Sequence, residues 1–265
     1  VDYITKPLRP AIVLARVRAQ LELKQARDWL RDQNAYLEAE VGRRMSENQV
    51  IQEVSIHALA RLAETRDPET GNHLRRTQEY VRALGHALRD HPRFCHRLND
   101  RIIATLARSA PLHDIGKVGI PDHILLKPGK LTPAEWEIMK THAILGSEAI
   151  AQAERDAAKA VEFLAVAKEI AHFHHEKWDG TGYPEALKGE EIPLSARLMA
   201  LADVFDALIN SRVYKPPMPY GEARDIIMGG RGSQFDPDVA DAFLQVFDQF
   251  CAIADRYRDD GQASY

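Results

Sequence analysis

The sequence predicts an all-helical protein in which one long connector helix precedes a helical bundle. Apolar residues recur at helical spacing in successive segments, as the core-facing stripe of a helix requires. These segments do not alternate with short β-branched runs, which argues against a parallel sheet. Between residues 11 and 64 the chain has no proline and one glycine, Gly42, so an uninterrupted helix is expected there.

The composition is that of an ordinary soluble globular protein. The 265 residues are 45% hydrophobic and 28% charged, and they allow one medium or two small domains. A formal net charge of -4 gives no global reason to expect nucleic-acid binding. Cys95 and Cys251 have no metal-like spacing and are expected to be thiols in a reducing compartment. Val1 begins no signal peptide and no membrane span is found, so we expect a cytoplasmic protein.

Residues 1–22 resemble the end of a response-regulator receiver domain. Asp2-Tyr3-Ile4-Thr5-Lys6-Pro7 reads as the end of a strand, as if the chain entered mid-domain, and a helical pattern follows from about Pro10. The resemblance implies that Lys6 is the phosphate-contacting lysine, that Lys6-Pro7 is cis, and that a cognate histidine kinase is a partner. An ordinary strand-to-helix turn is the alternative.

Residues 23–55 are predicted to be a linker helix that dimerises. Leu23, Leu30 and Leu37 fall at heptad spacing and charged residues fill most other positions, a pattern typical of a two-stranded coiled coil. A homodimer through this helix is therefore expected. A solvated connector helix is the alternative.

Residues 56–258 are predicted to form the helical bundle. Leu59, Leu62 and Ala63 continue an amphipathic helix, and Thr132, Pro133 and Glu135 give a helix start with a capping box. Further helices are expected over residues 73–88, 102–113, 163–175 and 195–211, with a last one starting at Asp236-Pro237. Loops are expected at 127–130, 179–191 and 229–235.

The adjacent pair His174-His175 opens the stretch that carries most of the chemistry. Neighbouring helical residues point about 100° apart, so two such imidazoles are better suited to two adjacent metal ions than to one. Glu176 and Asp179 follow, and Gly180 and Gly182 allow a sharp backbone turn. The stretch predicts a multi-metal pocket beside a shaped loop.

His113-Asp114, with Lys117 close behind, is the second chemical motif. It follows an apolar segment that would carry it toward the interior. A buried carboxylate needs a cation or a metal, and a bridging carboxylate can hold two ions about 3.5–4 Å apart. A salt-bridged core pair is the alternative.

Weaker candidates complete the set. Glu69 and His73 lie four residues apart and could reach the same metal, and His142 lies one to two turns into the capped helix. Asp203 and Asp206 lie in a highly apolar segment and need partners, which a metal cluster would supply. Ordinary structural roles remain open for each. Beyond that segment, Arg212 and Lys215 form a cationic pair suited to phosphate.

Together, His113-Asp114 with Lys117 and the run from His174 to Gly182-Tyr183-Pro184 closely resemble the HD-GYP phosphodiesterases, a branch of the HD metal-dependent hydrolases. The resemblance covers about residues 51–250. It implies an HD-type bundle that hydrolyses cyclic di-GMP, a bacterial second messenger, to linear diguanylate, and it leaves a further step to GMP open. The positions that match the family's metal ligands are Glu69, His73, His113, Asp114, His142, His174, His175 and Asp203.

The resemblance also assigns roles around the metals. Lys117 and Asp114 would be catalytic, and Lys117, Arg212 and Lys215 would contact the substrate's phosphates. Two or three divalent ions are implied; Glu69 favours three, with His175 and Glu69 sharing an ion. Imidazole and carboxylate ligands suit iron, which the resemblance favours, while manganese, zinc, nickel and cobalt are the alternatives.

The loop Gly182-Tyr183-Pro184 is implied to contact GGDEF-domain proteins, with a loop anchor as the equally weighted alternative. Competing functions are a hydrolase of another cyclic dinucleotide and a signalling adaptor that binds cyclic di-GMP or GGDEF partners with little turnover. The histidines outside the ligand set are expected to be non-catalytic, and His172 lies nearest to the pair.

Overall fold

The structure is a computed structural model that describes residues 9–64, 72–157, 161–210 and 217–258. Within these ranges it contains helices and no strand, which confirms the predicted all-helical class. The α-helices are α1 Pro10–Glu64, α2 His73–Leu88, α3 Asp100–Ser109, α4 Asp122–Leu125, α5 Pro133–Lys140, α6 His142–Asp156, α7 Glu162–Phe173, α8 Leu194–Ile209, α9 Tyr220–Gly229, α10 Pro237–Gln245 and α11 Phe247–Arg256. Short 3₁₀ turns cover Ala110–Leu112, Ile115–Gly119 and Gly189–Glu191.

The chain divides into two compact units, Val1–Val54 and Ser55–Tyr265. In the first unit α1 starts at Pro10, as predicted, and leaves its heptad leucines exposed. The predicted strand, Lys6 and the Lys6-Pro7 bond lie outside the described residues. The receiver remnant and the dimerising linker therefore stay predictions.

The second unit contains two hydrophobic clusters. The larger surrounds α2 and α8, where Tyr80 stacks on Phe250 at 4.4 Å between ring centroids and Phe205 packs edge-on against both rings. Burying an aromatic side chain of this size stabilises a fold by about 1.5–3 kcal/mol. Because α2 and α8 also carry His73 and Asp203, this core fixes one side of the candidate site.

The smaller cluster includes the last turns of α1. Ala60 and Ala63 are buried there, and Ala60 packs with Leu74 and Leu112. The predicted apolar face was partly wrong, because Leu59 and Leu62 are exposed. Small side chains let the helix approach closely, whereas the leucines lie at the exposed edge of this face.

Three helix boundaries differ from the prediction. Pro111 lacks a backbone donor, and α3 gives way to a 3₁₀ turn, so His113 lies after the helix and not within it. α7 ends at Phe173, which leaves His174 and His175 in the following turn. Asp236 does cap α10, but α10 is followed by α11 and is not the last helix.

The capping box on α5 is confirmed. The Thr132 hydroxyl accepts from the Glu135 N–H, and the Glu135 carboxylate accepts from the Thr132 N–H. However, α5 ends at Lys140 and His142 opens a separate helix, α6. Among the described residues, no helix combines the length and the apolar character that crossing a membrane requires.

Candidate metal centre

One group of possible metal donors consists of Asp114, His142, His174 and His175. One donor atom from each lies within 4.8 Å of the others. Asp114 Oδ1 is 3.3 Å from His142 Nε2 and 3.6 Å from His174 Nε2. The group joins the turn between two 3₁₀ segments, the start of α6 and the turn after α7, so three parts of the chain must fold together to form it.

A second group consists of His73, His113 and Asp203. His73 Nε2 lies 3.4 Å from His113 Nε2 and 3.8 Å from Asp203 Oδ1. The two groups meet at the His113-Asp114 pair, where His113 Nε2 is 3.3 Å from Asp114 Oδ2. The two oxygens of Asp114 therefore point to different groups, as a bridging carboxylate requires.

Backbone carbonyls fix the tautomers of three imidazoles. His113 Nδ1 donates to Ala110 O at 3.0 Å, and His142 Nδ1 donates to Met139 O at 2.8 Å. His174 Nδ1 donates to Ile170 O at 3.0 Å. Because a carbonyl oxygen can only accept, each neutral ring keeps its Nε2 lone pair for the centre. This second-shell arrangement is typical of metal-ligating histidines.

The buried polar atoms at this centre fit a divalent cation. Asp114 Oδ1, His142 Nε2 and His174 Nε2 are buried and have no hydrogen-bond partner among the residues that the structure describes. Buried acceptors without a donor are costly, by about 1–3 kcal/mol each. A cation between them would satisfy all three, so the chemistry of the cluster indicates divalent metal binding.

Charges around the centre hold its groups in ligand form. Burial raises the pKa of Asp114, but the Lys117 ammonium and His113 outweigh it and hold that pKa well below its ordinary value. The Lys117 Nζ lies 2.7 Å from Asp114 Oδ2. Burial, with His174 and His142 nearby, lowers the pKa of His175 well below its ordinary value. The carboxylate is therefore ionised and His175 neutral near pH 7, as metal binding requires.

A buried ion pair that the sequence prediction did not foresee supports His73. His73 Nδ1 donates to Asp206 Oδ2 at 2.8 Å, and Arg76 Nε donates to Asp206 Oδ1 at 2.6 Å. Burial raises the pKa of Asp206, but the bonds from His73 and Arg76 outweigh burial, so the pKa of this carboxyl lies below its ordinary value. Asp206 was expected to find its partner in the metal cluster, and instead it pairs with Arg76. The sequence feature that could have indicated this ion pair is Arg76, which lies one helical turn after His73.

The adjacent histidines both belong to the group of Asp114 and His142. The expectation that they serve different ions, with His175 sharing its ion with Glu69, stays a prediction, because Glu69 lies outside the described residues. Both histidines follow α7 in a turn, where the 100° separation of helical neighbours does not apply, and their ring centroids are 3.9 Å apart.

The loop after the pair is held by Glu176. Its carboxylate accepts from the backbone N–H of Glu185 at 2.7 Å and of Leu187 at 3.1 Å. The fold requires glycine at position 182, because a Cβ there would lie 2.3 Å from Lys177 N.

The same loop brings an aromatic ring against the donors. Tyr183 stacks on the His175 ring at 4.7 Å between centroids, and the Tyr183-Pro184 bond is cis. The loop thus forms one wall of the centre.

Three predicted site residues, Glu69, Arg212 and Lys215, lie outside the described residues. Their roles stay predictions. His172 contacts Ser147 Oγ at 2.7 Å and Glu185 Oε1 at 3.2 Å, away from both donor groups. Asp179 is also apart from them, since its carboxylate accepts from the Thr181 N–H and hydroxyl.

The HD domain family matches residues 57–239 of the chain, and the chain belongs to this family, as the motif resemblance predicted. A Vibrio cholerae protein named probable cyclic di-GMP phosphodiesterase is 54% identical over 263 residues, which are 99% of this chain and 60% of the relative. A second protein of that species, named cyclic di-GMP phosphodiesterase, is 55% identical over 214 residues, which are 81% of this chain and 43% of the relative.

A third Vibrio cholerae relative is named 3'3'-cGAMP-specific phosphodiesterase 2. It is 41% identical over 198 residues, which are 75% of this chain and 35% of the relative. The chain thus spans less than two thirds of the length of each of these relatives.

Proposed function

We propose that the chain is a metal-dependent phosphodiesterase that hydrolyses cyclic di-GMP to linear diguanylate, as the output domain of a two-component response regulator in the bacterial cytoplasm. The observation that carries the proposal is the position of Asp114. Its two oxygens face two separate donor groups, and Lys117 lies beside it. Two relatives named for cyclic di-GMP, each more than half identical to this chain, support the substrate.

The protein's own residues would divide the work as follows. Asp114 bridges the groups, and the imidazoles present Nε2 lone pairs at positions that backbone carbonyls fix. The positive charge of Lys117 stabilises negative charge that develops on the phosphoryl oxygens. Arg212 and Lys215, assigned from sequence alone, hold the substrate's phosphates. Bound divalent ions would supply Lewis-acid activation of water and of the phosphate.

The metal set is proposed to be iron, with manganese, zinc, nickel or cobalt as alternatives. The donor set of imidazole and carboxylate is compatible with each. A third ion would require Glu69, which the motif resemblance assigns. Removal of Glu69 should lower the metal content by one ion per chain and slow mainly the step from linear diguanylate to GMP. An unchanged metal content in Glu69→Ala would support a two-ion centre.

The central test is hydrolysis of cyclic di-GMP by the purified chain with iron or manganese restored. The double variant His113→Ala/Asp114→Ala should lose turnover and bound metal together. His96→Ala removes an exposed histidine elsewhere and should keep both. Turnover in the double variant at the wild-type rate would contradict the proposal. Absence of product from the wild-type chain would favour an adaptor that binds cyclic di-GMP or GGDEF partners.

A second candidate substrate is 3'3'-cGAMP, favoured by the third relative, which is 41% identical. The two substrates share their backbone and differ in one purine, so the metal centre alone does not choose between them. A comparison of kcat/KM for the two on the same protein decides the assignment.

The proposed partners follow from the sequence. A homodimer would form through residues 23–55, a histidine kinase would act through the receiver domain, and GGDEF-domain proteins would contact Gly182-Tyr183-Pro184. The stacking of Tyr183 on His175 favours the loop-anchor role for that ring.

A further inference from the structure

Helix α5 is a surface helix that lies next to the candidate metal centre. None of its residues is buried, so burial does little to stabilise it. Its capping box and an ion pair between Lys127 Nζ and Glu135 Oε2 fix its first turn. Its C-terminal turn is tied to the centre, because Met139 O accepts from His142 Nδ1 at 2.8 Å. The helix is thus held by local bonds at the rim of the candidate metal centre.

The face of α5 toward the loop carries a large aromatic side chain. Trp136 is 46% exposed, although tryptophan buries a large apolar area when a partner is available. The Trp136 ring meets Tyr183 edge-to-face at 6.1 Å between centroids. Tyr183 in turn stacks on His175, a member of the first donor group. The exposed indole therefore lies two ring contacts from the metal donors.

A cation accompanies the aromatic pair. Lys140 Nζ lies 5.8 Å from the centroid of the Tyr183 ring and 2.8 Å from Glu137 Oε2. An exposed aromatic ring beside positive charge is the combination that binds a base and its attached phosphate. In a nucleotide only a ribose separates the base from the phosphate, so a phosphate at the donors leaves its base near this rim.

We propose that Trp136 is the stacking surface for one purine base of the substrate and so determines affinity for nucleotides. The inference rests on the proposed function for the identity of the substrate. It adds a contact to the base, whereas the metal donors and Lys117 address only the phosphate. Stacking is tolerant of base identity, so this contact would accept guanine and adenine alike.

Steady-state kinetics of the metal-loaded full chain with cyclic di-GMP test the proposal. Trp136→Ala should raise KM about fivefold to about 150-fold, the range that removing one base–aromatic stack produces. Its kcat should stay within about twofold, because stacking is equal in the ground and transition states. Trp136→Phe keeps a ring and should recover part of the affinity. Ile138→Ala removes another exposed apolar side chain of α5 and should leave KM unchanged.

Binding measured by indole fluorescence gives a readout independent of turnover. GMP should quench the fluorescence of the wild-type chain and of Ile138→Ala but not that of Trp136→Phe. Ribose 5-phosphate, which lacks a base, should quench none of them. Equal quenching by GMP in Trp136→Phe, or a wild-type KM in Trp136→Ala, would overturn the inference. If the wild-type chain leaves cyclic di-GMP intact while GMP still quenches Trp136, the proposed function fails and base stacking stands.

Discussion

At the scale of single residues, the second donor group depends on a buried pair that touches no substrate. Asp206 accepts from both His73 and Arg76, so its charge orients the imidazole and is itself neutralised. The Arg76 and Asp206 side chains are 1% and 2% exposed. A charge buried to this degree is tolerated only because both partners are present.

Asp206→Asn is the sharpest test of this support. It keeps the size of the side chain but removes the negative charge that faces the buried Arg76 guanidinium, which should destabilise the protein by about 3–5 kcal/mol. The weaker acceptor for His73 Nδ1 should lower metal affinity about 10- to 100-fold. Urea unfolding and metal titration measure the two effects.

The matched control is another two-bond pair between aspartate and arginine, Asp241 and Arg231. Both of its bonds are 2.7 Å long, but its side chains are 46% and 44% exposed. Asp241→Asn should therefore change stability by less than about 1 kcal/mol and leave metal affinity unchanged. Equal effects of the two variants would show that burial does not set the importance of Asp206.

Sequence reasoning reached the donor residues by their chemical type but not the residues that orient them. His73, His113 and Asp203 were each singled out, and the structure brings them together. The oxygens that fix the imidazoles are mostly backbone carbonyls, such as Ala110 O and Met139 O. Every residue has a carbonyl, so no side-chain pattern marks the ones that are used.

At the scale of elements, close backbone contact joins the His113-Asp114 turn to α6. A Cβ on Gly116 would lie 1.9 Å from His142 O and 2.5 Å from Gly146 N. Both neighbours are backbone atoms, so neither can move without shifting α6 itself. Glycine here sets the distance between Asp114 and His142.

Gly116→Ala should push these two segments apart. We expect a loss of stability of about 1–3 kcal/mol or more, typical of overpacking, together with loss of metal from the group that contains His142. Gly221→Ala is the control, since a Cβ there meets nothing within 4 Å. In helix α9 it should be neutral or stabilise by up to about 1 kcal/mol. Thermal unfolding and metal content read out both variants, and a Gly116→Ala protein with a full metal complement would contradict the prediction.

The capping box of α5 predicts how the stability of the protein depends on pH. Bonds from Lys127 and from the Thr132 N–H lower the pKa of Glu135 to about 2, compared with about 4.3 for an unperturbed glutamate. Because the folded-state pKa is depressed, the stabilisation is complete above about pH 4.3 and is lost as pH falls toward about 2. Glu135→Gln should therefore lower the thermal midpoint at pH 7.

The comparison of wild type and Glu135→Gln at each pH removes acid effects that the two proteins share. Their difference in midpoint should shrink between about pH 4.3 and about pH 2. A difference that stays constant across this range would show that the charge of Glu135 does not support α5. Glu137→Gln, on the same helix and outside the cap, is the control.

Helix boundaries mark the limit of what periodicity could predict. The start of α5 was predicted because a capping box is a local signal that Thr132 and Glu135 carry in the sequence. The end of α3 was misplaced because apolar residues continue past it, and the end of α7 was misplaced because no glycine or proline follows Phe173 before Gly180. At both ends a histidine ring, of His113 or His174, donates to a carbonyl of the preceding turn, a bond that the sequence pattern does not reveal.

At the scale of the whole molecule, the all-helical class followed from the spacing of apolar residues and from the long stretch without proline. The family followed from the order of His113-Asp114 and the run to Pro184. The buried Arg76–Asp206 pair could not be predicted in this way, because it joins residues 130 positions apart and no local pattern near one residue indicates the other.

The exposed stripe on α1 makes the last prediction, which concerns assembly. Leu23, Leu30 and Leu37 are each more than half exposed and recur every seven residues. A stripe of this kind is stabilised when a second copy of the helix covers it. We expect a dimer in sedimentation equilibrium, and Leu30→Lys/Leu37→Lys should shift it to a monomer, because the seam would then bury like charges.

The control for assembly places the same charges one residue earlier. Trp29 and Tyr36 are 62% and 66% exposed and, at about 100° from the leucines, lie off the seam. Trp29→Lys/Tyr36→Lys should therefore remain dimeric. Metal content per chain should be the same in both variants, because every described donor residue belongs to the unit Ser55–Tyr265. A monomeric wild type, or equal dissociation of both variants, would favour a solvated connector over a coiled coil.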